Sequence, residues 1–155
     1  MNQNDLLLHV LDTSYSKENW FAPLKHTIEG ITAEQASWRP AEGTAHTIWE
    51  NVNHLIYYKE RIVAKMKGNE GPRSLDGDET FFITEQSNDD EWKKVVDRAE
   101  DAYRSIRQTL VDTSDEKLSD RSLETDLLDI MLYDAYHTGQ IIQIRKMQES
   151  WPSHR

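Results

Sequence analysis

Apolar residues recur at helical spacing in four stretches of the chain, which are separated by most of its glycines and prolines. The first stretch covers about residues 4–29, and Pro23 within it should kink or restart the helix, with residues 13–16 as a second possible restart point. Gly30 ends this stretch, and Thr32 and Gln35 then have the spacing of a capping box for a short turn. The pattern therefore predicts one long, interrupted helical region before residue 40.

A second capping box, formed by Thr47 and Glu50, begins a helix that should last to about Lys67, just before Gly68. Its apolar residues form one broad stripe, as expected for a helix that packs against a core. Lys59 lies within this stripe, and we expect its ammonium to reach back to solvent. The apolar members are Ile48, Val52, Leu55, Ile56, Ile62, Val63 and Met66.

Residues 68–87 form a connection that is long for a compact bundle. It contains an acidic cluster, whose spacing does not match a calcium-binding loop, and the pair Phe81 and Phe82. We expect an ordered crossover that is held down by its two phenylalanines. A lid over a pocket is the alternative.

The third helix should cover about residues 88–111 and has a clean apolar stripe. The fourth should cover about residues 123–149 and is apolar nearly all round, which is typical of a helix that is covered on more than one side. A second copy of the chain could bury one of these sides, so we expect a homodimer. Taken together, the pattern predicts a single all-α domain over residues 1–155, a four-helix bundle with a long crossover between its second and third helices.

Composition narrows the possible functions. The net charge is −10, and the 18 Lys and Arg residues are scattered among 28 acids, which argues against nucleic-acid binding. No apolar run approaches the length of about 20 residues that spans a membrane, and the first residues do not resemble a signal peptide. Cysteine is absent, which excludes disulfides and thiolate chemistry from the chain itself. We expect a cytoplasmic protein.

Two histidines are candidates for chemistry. His137 lies in the middle of the main stripe of the fourth helix, so it is either a hydrogen-bonded structural histidine or a metal ligand. His54 lies outside the stripe of the second helix, on a row with Asn51 and Tyr58, and could line a groove or be exposed. The remaining histidines have no companion at ligand spacing and are expected at the surface or in caps: His9, His26, His46 and His154.

A metal site in a bundle needs two or three ligands that project inward from different helices. Tyr133 and His137 are four residues apart on one helix, and His54 could face them from another. A neutral tyrosine is a weak ligand, because binding as phenolate requires the loss of a proton from a group of pKa about 10.

Three segments closely resemble the DinB/YfiT-like family: TIWENVNHLIYY at residues 47–58, DAYHTGQI at 134–141 and GITAEQASWRP at 30–40. The resemblance covers essentially the whole chain. It implies an up-up-down-down four-helix bundle, commonly a homodimer, with a divalent metal between the helices.

The family's ligands are usually one histidine on the second helix and an H-x-x-x-H pair on the fourth. His54 matches the first of these and His137 the last, whereas Tyr133 occupies the middle position. The resemblance implies Zn or Ni as the metal, with Tyr133, a water or a nearby acid such as Glu50 or Asp134 completing the site.

Activities known in the family include thiol S-transferases that use bacillithiol or mycothiol. We therefore expect a divalent-metal-dependent enzyme of the low-molecular-weight-thiol S-transferase type, in which the sulfur of a small thiol cosubstrate is bound as a thiolate nucleophile. The loss of one histidine leaves an alternative, a metal-free small-molecule-binding or stress-related bundle. Its pocket would be lined by Tyr133, His137, Tyr58 and Trp49.

Overall fold

The computed structural model describes residues 1–41, 43, 45–83, 86–113 and 121–153. Within these ranges the regular elements are all helical and no strand occurs, which confirms the all-α prediction. No helix there is long and apolar enough to cross a membrane. The elements are α1 (Gln3–Tyr15), α2 (Leu24–Ile28), α3 (Ala33–Ser37), α4 (Ile48–Lys67), a 3₁₀ turn (Gly77–Thr80), α5 (Asp89–Asp112) and α6 (Arg121–Met147).

The long helix α4 is central to the fold, since it packs against both α5 and α6, and α1 packs against the same two helices. Thr47 and Glu50 form the predicted capping box at the start of α4. Gly68 ends it in the left-handed conformation, with φ of 69°, which glycine adopts without steric cost. Large apolar side chains fill the space between the helices, including Leu11, Trp49, Leu55, Ile106, Leu127 and Ile141.

The first helical region differs from the prediction. Its helix ends at Tyr15, and the backbone carbonyl of Asp12 accepts hydrogen bonds from the amides of both Ser16 and Lys17. The chain then runs without helix until Pro23, which is the N-cap of the short helix α2. The restart at Pro23 is therefore confirmed, but the residues before it form a connection rather than part of a kinked helix.

The crossover after α4 is held against that helix by hydrogen bonds. The Tyr57 hydroxyl donates to the carbonyl of Arg73 and accepts from the amide of Leu75, and the Asn53 side chain donates to the carbonyl of Phe82. The Phe82 side chain itself is 37% exposed. The crossover is thus ordered as predicted over its described part, but its anchors are largely polar. Residues 84 and 85, at its end, lie outside the described ranges.

Lys59 does not reach solvent, contrary to the prediction. It is 1% exposed, and its Nζ lies 2.7 Å from Oδ1 of Asp134 on α6, a residue that is fully buried. The ammonium also lies 4.9 Å from the centre of the Tyr15 ring. A carboxylate and an aromatic face thus replace the water that the ammonium would otherwise need.

Candidate functional site

The packing of α4 against α6 brings His54 and His137 together inside the bundle. Both side chains are 3% exposed, and their ring centres are 4.9 Å apart. The periodicity left His54 either exposed or in a groove, and the structure places it in the groove. The crossover covers it there, because the Phe81 ring stacks on the His54 ring at 3.9 Å between centres.

The protonation of His54 follows from its hydrogen bonds. Its Nδ1 lies 2.6 Å from Oγ1 of Thr80, a buried residue of the 3₁₀ turn. The Thr80 hydroxyl donates its only proton to the carbonyl of Gly77, at 2.6 Å. Its oxygen must therefore accept from His54, so the proton is on Nδ1 and Nε2 carries a lone pair.

His137 is arranged in the same way by Asn51. Its Nδ1 lies 2.7 Å from Oδ1 of the Asn51 amide. The amide nitrogen of Asn51 donates to the backbone carbonyl of Thr47, at 2.8 Å, which fixes the orientation of the amide. The proton of His137 is therefore also on Nδ1, and its Nε2 also carries a lone pair.

Both Nε2 atoms are buried, and neither has a hydrogen-bond partner among the described residues. Burial, with added repulsion from His137 and His46, lowers the pKa of His54 to about 4. Burial, with repulsion from His46, lowers the pKa of His137 to about 4 as well. Both rings are therefore neutral at neutral pH, the state in which an imidazole binds a metal.

The two rings are close enough for one divalent ion to reach both. Imidazoles bound to one Zn ion through bonds of about 2.1 Å have centres about 5 Å apart, and the ring centres of His54 and His137 are 4.9 Å apart. However, no cluster of three or more His, Cys, Asp or Glu side chains within the described ranges could hold a metal. The described residues bring two neutral imidazoles together here.

Tyr133 lies beside both histidines, as its spacing from His137 predicted, but it is 40% exposed. Its ring centre is 4.7 Å from that of His137 and 5.4 Å from that of His54. These ring contacts, together with the weakness of a neutral tyrosine as a ligand, favour Tyr133 as a wall of the site.

The two acids that could have completed the ligand set are engaged elsewhere. Glu50 accepts from Arg39, at 2.5 Å, and caps α4. Burial alone would raise the pKa of Glu50, but its hydrogen bonds and the charge of Arg39 together lower it. Asp134 is paired with Lys59. Neither acid joins the two histidines.

His46 and Phe81 were missed as neighbours of the site. The His46 ring stacks on Phe81 at 3.7 Å between centres, so Phe81 lies between His46 and His54. His46 is half-buried and also lies 3.4 Å from Glu50, whereas the prediction placed it at the surface or in a cap. His9 and His26 are exposed as predicted, and His154 lies outside the described residues.

A cleft of about 960 Å³ adjoins the histidines, between α4, α6 and the crossover. Tyr58 and Tyr133 belong to its lining, and their rings also contact His54, at 5.0 and 5.4 Å between centres. A small molecule in this cleft would therefore lie next to the buried pair.

A sequence model of the DinB superfamily matches residues 18–140, a range that includes His54, Tyr133 and His137. No curated protein and no solved structure matches the chain. The family match covers most of the chain and agrees with the resemblance of its three segments. The chain belongs to the DinB superfamily.

Proposed function

We propose that this protein is a divalent-metal-dependent enzyme whose ion is held by Nε2 of His54 and Nε2 of His137. The observation that supports it best is the pair of buried, unpartnered lone pairs. Leaving a buried acceptor unpaired costs about 1–3 kcal/mol, so two such atoms side by side call for a ligand. A bound ion would remove this cost.

The reaction we propose is S-transfer with a low-molecular-weight thiol, of the bacillithiol type, as cosubstrate. A Zn or Ni ion with two protein ligands keeps open positions and would lower the pKa of a bound thiol, which supplies the nucleophile. Thr80 and Asn51 hold the two imidazoles in the ligating tautomer. Phe81 covers the site on the side of the crossover, and Tyr58 and Tyr133 border it on the side of the cleft.

A metal-free small-molecule-binding bundle is the second candidate, and the absence of a third strong ligand among the described residues favours it. In this case the two Nε2 atoms would accept hydrogen bonds from the ligand itself. The chemistry of the cleft would then decide what binds.

Metal content distinguishes the two candidates. After removal of all metal and reloading with Zn or Ni, the protein should retain about one ion per chain, because two neutral imidazoles from different helices bind it. His54→Ala and His137→Ala should each abolish stoichiometric binding, whereas His26→Ala, at an exposed histidine, should retain it. S-transfer from a small thiol should follow metal content. A metal-free wild type would contradict the enzyme and leave the binding module.

Membership of the superfamily also supports an up-up-down-down course for the four long helices and a homodimer. An exposed apolar stripe on α6 supports the dimer: Leu128, Leu132, Tyr136 and Met147. Leu132→Glu should convert a dimer into a monomer in light scattering. Leu6→Glu, which changes an exposed leucine of α1, should leave the dimer intact. A wild-type monomer would contradict this part of the proposal.

A further inference from the structure

The cleft beside the histidines has walls of opposite charge. Arg61 and Lys65 line it from α4, and Asp126 and Asp129 line it from α6. Lys65 and Asp126 neutralise each other, since Nζ lies 2.6 Å from Oδ2, and the same Nζ donates to Ser122. Among the described residues of the lining, one cation and one anion remain without an ion pair.

The remaining cation, Arg61, is held in place but not neutralised. Its Nη1 donates to the Tyr57 hydroxyl at 3.0 Å, and its guanidinium lies 5.7 Å from the Tyr57 ring centre. That hydroxyl is itself fixed by the crossover, through Arg73 and Leu75. Over the described part of the chain no carboxylate pairs with Arg61, so most of its five N–H donors are available to a ligand.

The remaining anion is Asp129, one helical turn before Tyr133 on the opposite wall. It is exposed, and its carboxylate has no ion pair or hydrogen bond to any residue that the structure describes. The cleft thus presents a guanidinium on one wall and a carboxylate on the other, and the rings of Tyr58 and Tyr133 in its lining contact His54.

From this arrangement we propose that the cleft binds the zwitterionic head of an α-amino-acid-type molecule. Its carboxylate pairs with Arg61 and its ammonium with Asp129. A guanidinium suits a carboxylate because two parallel hydrogen bonds can form. A simple anion would be repelled by Asp129 and by the net charge of −10, and a simple cation would leave Arg61 unmatched. A zwitterion matches both walls.

The side chain of the bound molecule points past Tyr58 and Tyr133 toward the two histidines. This last step deepens the proposed function, on which it rests: the thiol cosubstrate would carry a free α-amino group and a free α-carboxylate, in place of the bacillithiol type, whose cysteine carboxyl is in an amide bond. The binding of the head group itself depends on the cleft alone, so it can be measured without metal.

The test is an NMR titration of the metal-free, full-length protein with three small probes that share the serine side chain. L-serine carries both charges, N-acetyl-L-serine only the carboxylate, and L-serinamide only the ammonium. L-serine should shift amide signals of α4 and α6 around the cleft. Each singly charged probe should bind at least about tenfold more weakly, because one charge-assisted contact is lost.

Variants of the two charged residues test the same two contacts from the side of the protein. Arg61→Gln and Asp129→Asn should each weaken L-serine binding at least about tenfold, and Arg104→Gln, at an exposed arginine of α5, should not change it. Equal binding of the three probes, no binding of L-serine, or no effect of the two variants would each overturn the inference.

Binding of L-serine and uptake of Zn test the zwitterion site and the metal-dependent enzyme separately. Loss of L-serine binding with about one Zn per chain retained overturns the zwitterion site alone. L-serine binding in a protein that takes up no Zn or Ni overturns the metal-dependent enzyme and supports the cleft as the binding site. The thiol analogue L-cysteine should bind more tightly than L-serine only after Zn is loaded.

Discussion

Two buried polar pairs span the same two helices, α4 and α6, and they are completed in different ways. Lys59 and Asp134 neutralise each other at 2.7 Å, with both side chains almost fully buried. His54 and His137 meet at 4.9 Å, and each keeps an unpartnered nitrogen. The opposite charges of the first pair balance each other. The second offers two lone pairs that the described protein leaves unused.

The difference lies in where the hydrogen bonds are made. Burial raises the pKa of Asp134, while the charge of Lys59 opposes that rise, so the two residues depend on each other. Each histidine depends on another residue, Thr80 or Asn51, which binds Nδ1 and leaves Nε2 without a partner among the described residues. Lys59 and Asp134 balance each other's charge, whereas the two neutral imidazoles keep lone pairs that a ligand could use.

The largest expected effect is on stability, at the buried ion pair of Lys59 and Asp134. Lys59→Met should lower the free energy of unfolding by about 3–5 kcal/mol, because it leaves the Asp134 carboxylate buried without its charge partner. Urea denaturation measures this loss. The double variant Lys59→Met with Asp134→Leu should recover most of it, since no buried charge then remains.

The chain offers a control for this change in the exposed pair of Lys65 and Asp126, which are also 2.6 Å apart and also join α4 to α6. Lys65→Met should cost at most about 1 kcal/mol, because water solvates the carboxylate that is left. If Lys59→Met cost no more than Lys65→Met, the buried pair would not have the structural role assigned to it.

The second expected effect is a pH dependence of the free energy of unfolding, which the histidine pair causes in the metal-free protein. An unfolded histidine has a pKa near 6.5, but that of folded His54 is lowered to about 4. Between these values the unfolded chain binds a proton that the folded chain excludes, so stability falls as the pH drops from 6.5 to about 4. One ring contributes on the order of 3 kcal/mol to this fall.

Thermal or urea unfolding with a chelator present, from pH 7.5 to 4, measures this contribution as the difference between wild type and His54→Phe. The phenylalanine retains a ring to stack on Phe81 and removes the titrating group. If the free energy of unfolding changed with pH in the same way in both proteins, His54 would be protonated equally in the folded and unfolded states. The burial of His54 argues against this outcome.

The third effect concerns the residues that orient the rings. Thr80→Val removes the acceptor of the His54 Nδ1 proton, and so should weaken Zn binding by about 10–100-fold, as is usual for residues behind a metal ligand. Thr80→Ser retains the hydroxyl and should stay near the wild-type affinity. A competition titration with a colorimetric chelator gives both constants. Equal affinity of the valine and serine variants would contradict the positioning role.

Much of the fold follows from the sequence. Clean apolar stripes and capping boxes predict α4, α5 and α6 to within two residues at each end. The first region was harder, because an apolar pattern continues through residues where the backbone has already left the helix. Lys59 was misjudged because periodicity shows that a residue faces the core but does not show Asp134 on another helix.

The site was predictable only as far as local spacing reaches. His137 and Tyr133 are four residues apart, which places them together on one helix. His54 is buried by Phe81 and paired with Thr80, and both belong to the crossover, whose path no periodicity specifies. The family resemblance supplied His54, and the hydrogen bonds that set its tautomer required the structure.

The smallest expected effect is at Tyr133, and it tests whether the two histidines are the whole ligand set of the protein. Tyr133→Phe should change Zn affinity by less than about threefold, because a neutral tyrosine is a weak ligand whose binding as phenolate requires the loss of a proton. Tyr133→His should raise the affinity at least about tenfold, since a third imidazole four residues before His137 would complete a set of three. Loss of Zn binding in the phenylalanine variant would instead show that the phenol is a ligand. The two histidines alone would then not be enough to hold the ion.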